Sequence, residues 1–181
     1  MITEKKFSAA FIDRDGVINK RIADGYVTHP DEFEFLPGVF DAFQSIAQHF
    51  QYVCIVTNQQ GIGKHLMTVD QLQTVHQLML DKIIQNEGKI DKIYFCPHRA
   101  EDHCNCRKPK TGMFLQALKD FPDIRPDQSV MIGDTLNDMK FGRNAGLKTI
   151  LISDSIQTDI TTLKLSDYQF GSLFDMAKHF L

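Results

Sequence analysis

Two aspartates, Asp13 and Asp15, stand two residues apart in "DRDG", directly after the short apolar run "FSAAFI". Side chains alternate along a strand, so residues i and i+2 at a strand end tend to leave on the same side. Carboxylates held that close repel, and a hard divalent cation relieves the repulsion. "GDTLND" supplies a third carboxylate, Asp134, after a later apolar run. An oxygen-only site with open positions suits Mg²⁺, which keeps waters and binds substrate phosphate. A lone Asp-x-Asp reads equally well as a solvated turn; the second acidic element weakens that reading.

Two further stretches could serve the same chemistry. "VTNQQGIGK" offers the Thr57 hydroxyl and backbone N–H groups near Asn58 as a cradle for phosphate oxygens, although alone Thr57 could equally cap a turn. It lacks the Gly-Lys-Ser/Thr of a P-loop. "CRKPKTGM" sets Arg107 and Lys108 before Pro109, which disfavours helix at Lys108 and marks a loop. Two cations beside a carboxylate cluster could neutralise a transferring phosphoryl group; in isolation they would be a solvated basic pair.

"CPHRAEDHCNC" poses a separate question: metal site, disulfide staple or reactive thiols. Cys96, His98, Cys104 and Cys106 give three thiolates and one imidazole at spacings that a single tetrahedral Zn²⁺ accepts, with no open position. Such a zinc is expected to be structural. A disulfide needs an oxidising compartment, for which nothing argues. His103 is a spare that could compete as a ligand but is read as a solvent-facing loop residue, and Cys54 as a small core hydrophobe. His29, His49, His65, His76 and His179 show no evident partner.

The elements that must position these residues follow from the apolar pattern. Strands are expected at Phe7–Ile12, Tyr52–Thr57, Lys92–Phe95, Ser129–Gly133 and Lys148–Ile152, near-continuous apolar runs of the kind buried on both faces of a parallel sheet. A helix from about Val39 carries the stripe Val39, Phe40, Phe43, Ile46, Ala47 and Phe50. A second starts at Thr68 with Gln71 as capping-box partner, buries Val69, Leu72, Val75, Met79 and Ile83, and ends before Gly88. "GMFLQALKDF" and "NDMKFGRNAG" predict two more helices. The tail is expected to add a polar loop, a short strand near Tyr168–Phe170 and a closing helix. Alternating β and α elements predict a doubly wound, mostly parallel α/β sheet in one domain over residues 1–181. Ligands in such sheets sit beyond the C-terminal strand ends, where Asp13, Thr57, the Cys/His stretch and Asp134 all fall.

Composition bounds the rest. A chain of 181 residues with 43% hydrophobic and 24% charged residues suits one soluble domain, and a net charge of −3 gives no global field for nucleic acid. No apolar stretch nears the roughly 20 residues of a membrane span, and the first residues turn acidic too soon for a signal peptide. The expectation is a monomer in a reducing cytoplasm, without nucleic-acid or membrane partners.

"FIDRDG", "VTNQ", "RKP" and "GDTLND", in this order, resemble the haloacid dehalogenase-like phosphatases over about Phe7 to Ile152. "DRDGVIN", "DGYVTHPDEFEFLPGV", "VTNQQGIG", "CPH…CNCRKPKTGM" and "GDTLNDMKFGRNAG" are more narrowly similar to the D-glycero-D-manno-heptose 1,7-bisphosphate phosphatases, with histidinol-phosphate phosphatases as near relatives. The resemblance implies a Rossmann-like fold carrying a zinc loop at residues 96–106; the segment from Asp15 to Tyr52, used up by a loop and one helix, leaves little room for a cap domain, so none is expected. It also implies hydrolysis of the C7 phosphate of the heptose bisphosphate, a step of nucleotide-heptose biosynthesis.

Residue by residue, the resemblance implies Asp13 as nucleophile and Asp15 as acid and base, the latter with the higher pKa. Mg²⁺ would be held by the Asp13 and Asp134 carboxylates and the Asp15 main-chain carbonyl. Thr57, Asn58, Gln59 and Lys108 would hold the phosphoryl group, and Arg107, Asp24 and Tyr26 the rest of the sugar phosphate. Asp138 would orient neighbours. Gln60 and Thr135 depart from the Ser and the basic residue common among relatives. A polynucleotide 3′-phosphatase shares the Thr-Asn-Gln and Arg-Lys-Pro, but the acidic charge and zinc loop argue against it. An inactive zinc-stabilised binding module would need one of Asp13, Asp15, Lys108 or Asp134 to be missing, and all four are present.

Overall fold

Runs of β-branched and aromatic residues form β1 (Phe7–Ile12), β2 (Phe50–Asn58), β3 (Lys92–Cys96), β4 (Val130–Gly133), β5 (Lys148–Ile152) and β6 (Tyr168–Phe170) in a computed structural model that describes residues 7–153 and 159–181. Every pairing is parallel, and the order across the sheet is β3-β2-β1-β4-β5-β6. That order reverses at the β1–β4 boundary, and the crevice there opens at the C-terminal strand ends. Between the strands run α1 (Val39–His49), α2 (Val69–Gln85), α3 (Gly112–Asp120), α4 (Leu136–Asn144), α5 (Ile160–Leu165) and α6 (Leu173–Phe180).

Strand alternation divides the core in two. Ala10 and Ile12 of β1 face a layer made with Phe43 and Ile46 of α1, Val75 and Met79 of α2 and Met176 of α6. Ala9 and Phe11 face the opposite layer with Met113 and Phe114 of α3 and Phe141 of α4. Both faces of the central strands are therefore dry, which is why their sequences carry no polar alternation.

The doubly wound parallel sheet expected from the sequence is present, and between β1 and β2 the chain forms a loop, one turn of 3₁₀ helix at Pro30–Glu32 and α1. The capping box of α2 forms as read: Gln71 N–H donates to Thr68 Oγ1, and Gln71 Oε1 accepts from Thr68 N–H. Three expectations need correction. Phe50 does not end α1 but opens β2, pairing with Phe7 in register and stacking on its ring at 4.9 Å. Val69 is 39% exposed rather than buried, because it opens α2 before the apolar stripe turns inward. Helix α5 was not foreseen; its Thr-Thr pair is weakly helix-forming, and Asp159 caps it by accepting from Thr162 N–H. The closing strand and helix are present, while residues 154–158, on which the expected polar loop falls, and residues 1–6 lie outside the described residues. Among the described residues no helix is long and apolar enough to cross a membrane.

Candidate active site

Asp13 is the first residue past β1, and its N–H donates to Ile132 O of β4 at 2.9 Å, which anchors it at the switch point. Its Oδ1 accepts from Lys108 Nζ at 2.8 Å. That ammonium also pairs with Asp138 Oδ1 at 2.7 Å and donates to Val56 O at 2.6 Å, while only 3% exposed. Asp138 in turn caps α4, its Oδ2 accepting from Thr135 N–H and Oγ1–H. Burial outweighs the attraction of Lys108 and pushes the Asp13 carboxyl up to about 7, with Asp138, Asp134 and Asp15 adding repulsion. The same balance of burial and Asp138 pushes Asp134 up to about 6, against Arg21 and Lys108.

Asp15 is built differently. The Arg14 fork donates to both its oxygens at 2.9 and 3.0 Å, and Asn19 Nδ2 and Gln59 Nε2 donate at 3.0 and 2.9 Å. Burial alone would raise its pKa; the Arg14 charge and these hydrogen bonds outweigh it and hold the carboxyl below its ordinary value. The expected order is thus reversed, with Asp13 above Asp15, because Asp15 is ringed by donors while Asp13 shares one ammonium with a second carboxylate. Arg14 is fully buried, and its Nη1 lies 3.1 Å from His76 Nε2, a partner for His76 that sequence reading had missed.

Both carboxylates open on a cavity of about 440 Å³, lined also by Thr57, Asn58, Arg107, Lys108, Asp24 and Tyr26. Gln59 sits behind that wall, 1% exposed and donating to Thr57 Oγ1 at 2.8 Å as well as to Asp15. Asp24 adopts a left-handed backbone, φ 54°. Arg107 Nη1 is buried with no hydrogen-bond partner in the protein. Three polar cavity residues, Lys64, Asn137 and Arg21, were not singled out from the sequence. Lys64 donates to Tyr26 Oη at 3.1 Å, and Asn137 lies in the first turn of α4. Arg21 Nη2 donates to Asp15 O at 2.6 Å and to Asp134 Oδ1 and Oδ2 at 2.9 and 2.8 Å. Gly16, at φ +94°, makes that approach possible; a Cβ there would collide with the Asp134 carboxylate.

A hard cation fits this cluster. Carboxylate oxygens of Asp13, Asp134 and Asp138 lie within 4.8 Å of one another. The Asp15 carbonyl, Asp134 and, at 4.0 Å, Asp13 Oδ2 already surround one positively charged nitrogen. The second candidate centre, at the end of β3, gathers Cys96, His98, Cys104 and Cys106. Its Sγ···Sγ separations are 3.1, 3.5 and 3.5 Å, and His98 Nδ1 lies 3.2 and 3.7 Å from Cys106 and Cys96. Zinc bonds of about 2.3 Å to sulfur and 2.0 Å to nitrogen in a tetrahedron imply edges of roughly 3.5–3.8 Å, so the set fits that ion with small shifts. Lys110 Nζ braces the loop by donating to His103 O and Cys104 O at 2.9 and 2.7 Å. Arg107 and Lys108 follow the last of these cysteines directly.

A family model described as HAD-hydrolase-like (HAD, haloacid dehalogenase) matches residues 105–169. The chain is 36% identical over 177 residues to the D-glycero-beta-D-manno-heptose-1,7-bisphosphate 7-phosphatase of Haemophilus influenzae, covering 94% of this chain and 95% of the relative. It is 32% identical over 167 residues to the D-glycero-alpha-D-manno-heptose-1,7-bisphosphate 7-phosphatase of Mycobacterium bovis, covering 92% and 88%. Among solved structures, the D,D-heptose 1,7-bisphosphate phosphatase of B. bronchiseptica, complexed with magnesium and phosphate, superposes with a TM-score of 0.82 at 30% identity, covering 96% of this chain and 97% of that one. Fold, ordered strand-end motifs and this similarity along nearly the whole length together establish that the chain belongs to the D-glycero-D-manno-heptose-1,7-bisphosphate 7-phosphatase family of the haloacid dehalogenase-like hydrolases.

Proposed function

We propose that this chain is a phosphoric monoester hydrolase that removes the C7 phosphate of a D-glycero-D-manno-heptose 1,7-bisphosphate through a covalent intermediate on Asp13. The observation that carries the reading is the convergence of Asp13, Asp15, Thr57 and Lys108 from three strand-end loops on one cavity. In the first displacement an Asp13 carboxylate oxygen attacks phosphorus and the P–O bond to C7 breaks. The leaving oxygen takes its electron pair and a proton from Asp15. Asp15 then removes a proton from water, which attacks the aspartyl-phosphate, frees inorganic phosphate and restores Asp13.

Lys108, fixed by Asp13, Asp138 and Val56 O, balances the phosphoryl charge. Thr57 Oγ1 and the backbone at Asn58 hold its oxygens. The donors around Asp15 make it a reluctant acid; the dianionic phosphate placed beside it raises its pKa through like-charge repulsion and so favours proton donation. Arg107, with a buried nitrogen lacking a protein partner, grips the second phosphate or sugar hydroxyls. Asp24 and Tyr26 close the sugar end of the cavity.

The Asp13 and Asp134 carboxylates and the Asp15 carbonyl would hold Mg²⁺, which would supply the charge that lets two anions approach. Cys96, His98, Cys104 and Cys106 would hold a structural Zn²⁺, and the loop so fixed would aim Arg107 and Lys108. On this reading the enzyme is a monomer of the reducing cytoplasm, where the thiolates stay available as ligands.

The test is phosphate release by the purified protein from α- and β-heptose 1,7-bisphosphates and from histidinol phosphate. One heptose anomer should exceed histidinol phosphate in kcat/KM by more than about tenfold, roughly 1.4 kcal/mol of transition-state discrimination. A large preference for histidinol phosphate would overturn the substrate.

A further inference from the structure

We propose that Arg21 is a built-in occupant of the cation position, so that its guanidinium and a divalent metal exclude one another there. The inference rests on the assignment of that metal to the Asp13 and Asp134 carboxylates and the Asp15 carbonyl. Arg21 Nη2 draws on the same oxygens: 2.6 Å from Asp15 O, 2.9 and 2.8 Å from the two Asp134 oxygens and 4.0 Å from Asp13 Oδ2. A metal ion at the usual oxygen distance of about 2.0–2.1 Å and a guanidinium nitrogen cannot share that space.

Charge decides which occupant is favoured. Asp13, Asp15, Asp134 and Asp138 are opposed within the cluster by Arg14 and Lys108, which leaves two negative charges when all are ionised. Arg21 neutralises one of them; a divalent cation neutralises both. Arg21 is also the cation that can leave. Its side chain is 49% exposed, whereas those of Arg14 and Lys108 are 0% and 3% exposed. It rises from a run of exposed residues, Lys20 to Gly25. Displacing it breaks hydrogen bonds to Asp15 and Asp134 and disturbs no core packing. In its place it holds the acidic cluster together, so its contribution is to metal-free stability at the expense of metal affinity.

The experiment is calorimetric titration of MgCl₂ at constant ionic strength into wild type, R21M, R21K and D134N. Each protein is freed of divalent ions by gel filtration rather than chelation, so that the zinc cluster survives. Met keeps the stem volume and removes the charge. R21M should bind Mg²⁺ roughly tenfold more tightly, the scale set by losing a charge-assisted competitor. R21K, a point charge without the fork, should fall between R21M and wild type. Without added Mg²⁺ the R21M melting temperature should fall below that of wild type, and saturating Mg²⁺ should close the gap. If D134N loses Mg²⁺ binding while R21M binds no more tightly than wild type, the inference is wrong. If D134N binds as wild type does, the metal assignment beneath it is wrong.

Discussion

Asn58 holds the main chain of Lys108 with both ends of its amide. Its Oδ1 accepts from Lys108 N–H at 3.0 Å, and its Nδ2 donates to Lys108 O at 3.2 Å. The residue at the end of β2 thus sets where the Lys108 side chain, in a loop fifty residues later, begins. N58A should cut kcat by about 10–100-fold through misplacement of Lys108, since an ångström of displacement at such a site costs about that much. KM should change less, and far-UV circular dichroism should be unchanged. A wild-type rate would mean that Asp13, Asp138 and Val56 O suffice to place the ammonium.

Asp13→Asn should abolish turnover, by roughly 10³-fold or more for loss of a nucleophile, without unfolding the protein. The substitution removes a carboxylate whose burial makes its charge costly, and Lys108 retains Asp138 as its counter-ion. The melting temperature should therefore stay within a few degrees of wild type. Intact-mass spectrometry of wild type quenched in acid during turnover should show a phosphoryl adduct that D13N lacks. Retained activity in D13N would overturn the covalent mechanism.

Metal analysis of the purified protein should find about one zinc per chain, the content expected of a closed four-ligand site. C106A should lose that zinc and at least roughly tenfold in kcat, since Arg107 and Lys108 continue directly from the missing ligand. Full activity in a folded, zinc-free C106A would separate the cluster from catalysis.

His76 makes stability sensitive to acid. Burial and the neighbouring Arg14 charge push its pKa down to about 3, against an unfolded value of about 6.5. Between those values the unfolded chain takes up a proton that the folded chain refuses. Native stability therefore falls as pH drops below about 6.5, by up to about 1.4 kcal/mol per pH unit from this group, and levels off below about 3. H76Q keeps an acceptor for Arg14 Nη1 and removes the titration. Its urea midpoint should fall less steeply than that of wild type between pH 7 and pH 5; parallel slopes would show that His76 is not held neutral.

The parts legible in the sequence are those with a local signature. β1 through β5 announce themselves because two dry faces demand unbroken apolar runs, and the metal-ligand spacing of Cys96 to Cys106 is written within eleven residues. Phe50 was misassigned because it continues the helical stripe of Ile46, four residues on, yet its ring belongs on Phe7 across the sheet. Arg21 and Lys64 are loop cations with no period or motif to mark them; only the tertiary fold brings Arg21 to Asp134, 113 residues away. The reversed order of the two aspartate pKa values has the same origin. It depends on Arg14, Asn19 and Gln59 meeting at one carboxylate, and no pairwise motif encodes that meeting.

The central position of β1 and β4 also governs when this site can come into being as the chain folds. β1 pairs with β4 across 120 residues, Ala10 opposite Val130, and such non-local pairing is entropically costly and slow to form. Asp13 is hydrogen-bonded to β4 itself, and Asp134 follows that strand. On the proposed ligand set, cation binding therefore demands that this most distant pairing be complete, while β1, β2 and β3, drawn from the stretch that ends at Cys96, can associate before it. Nascent or truncated chains ending before β4 would bury apolar surface yet hold no reactive centre, so recovery of activity after dilution from denaturant reports completion of the sheet rather than its onset.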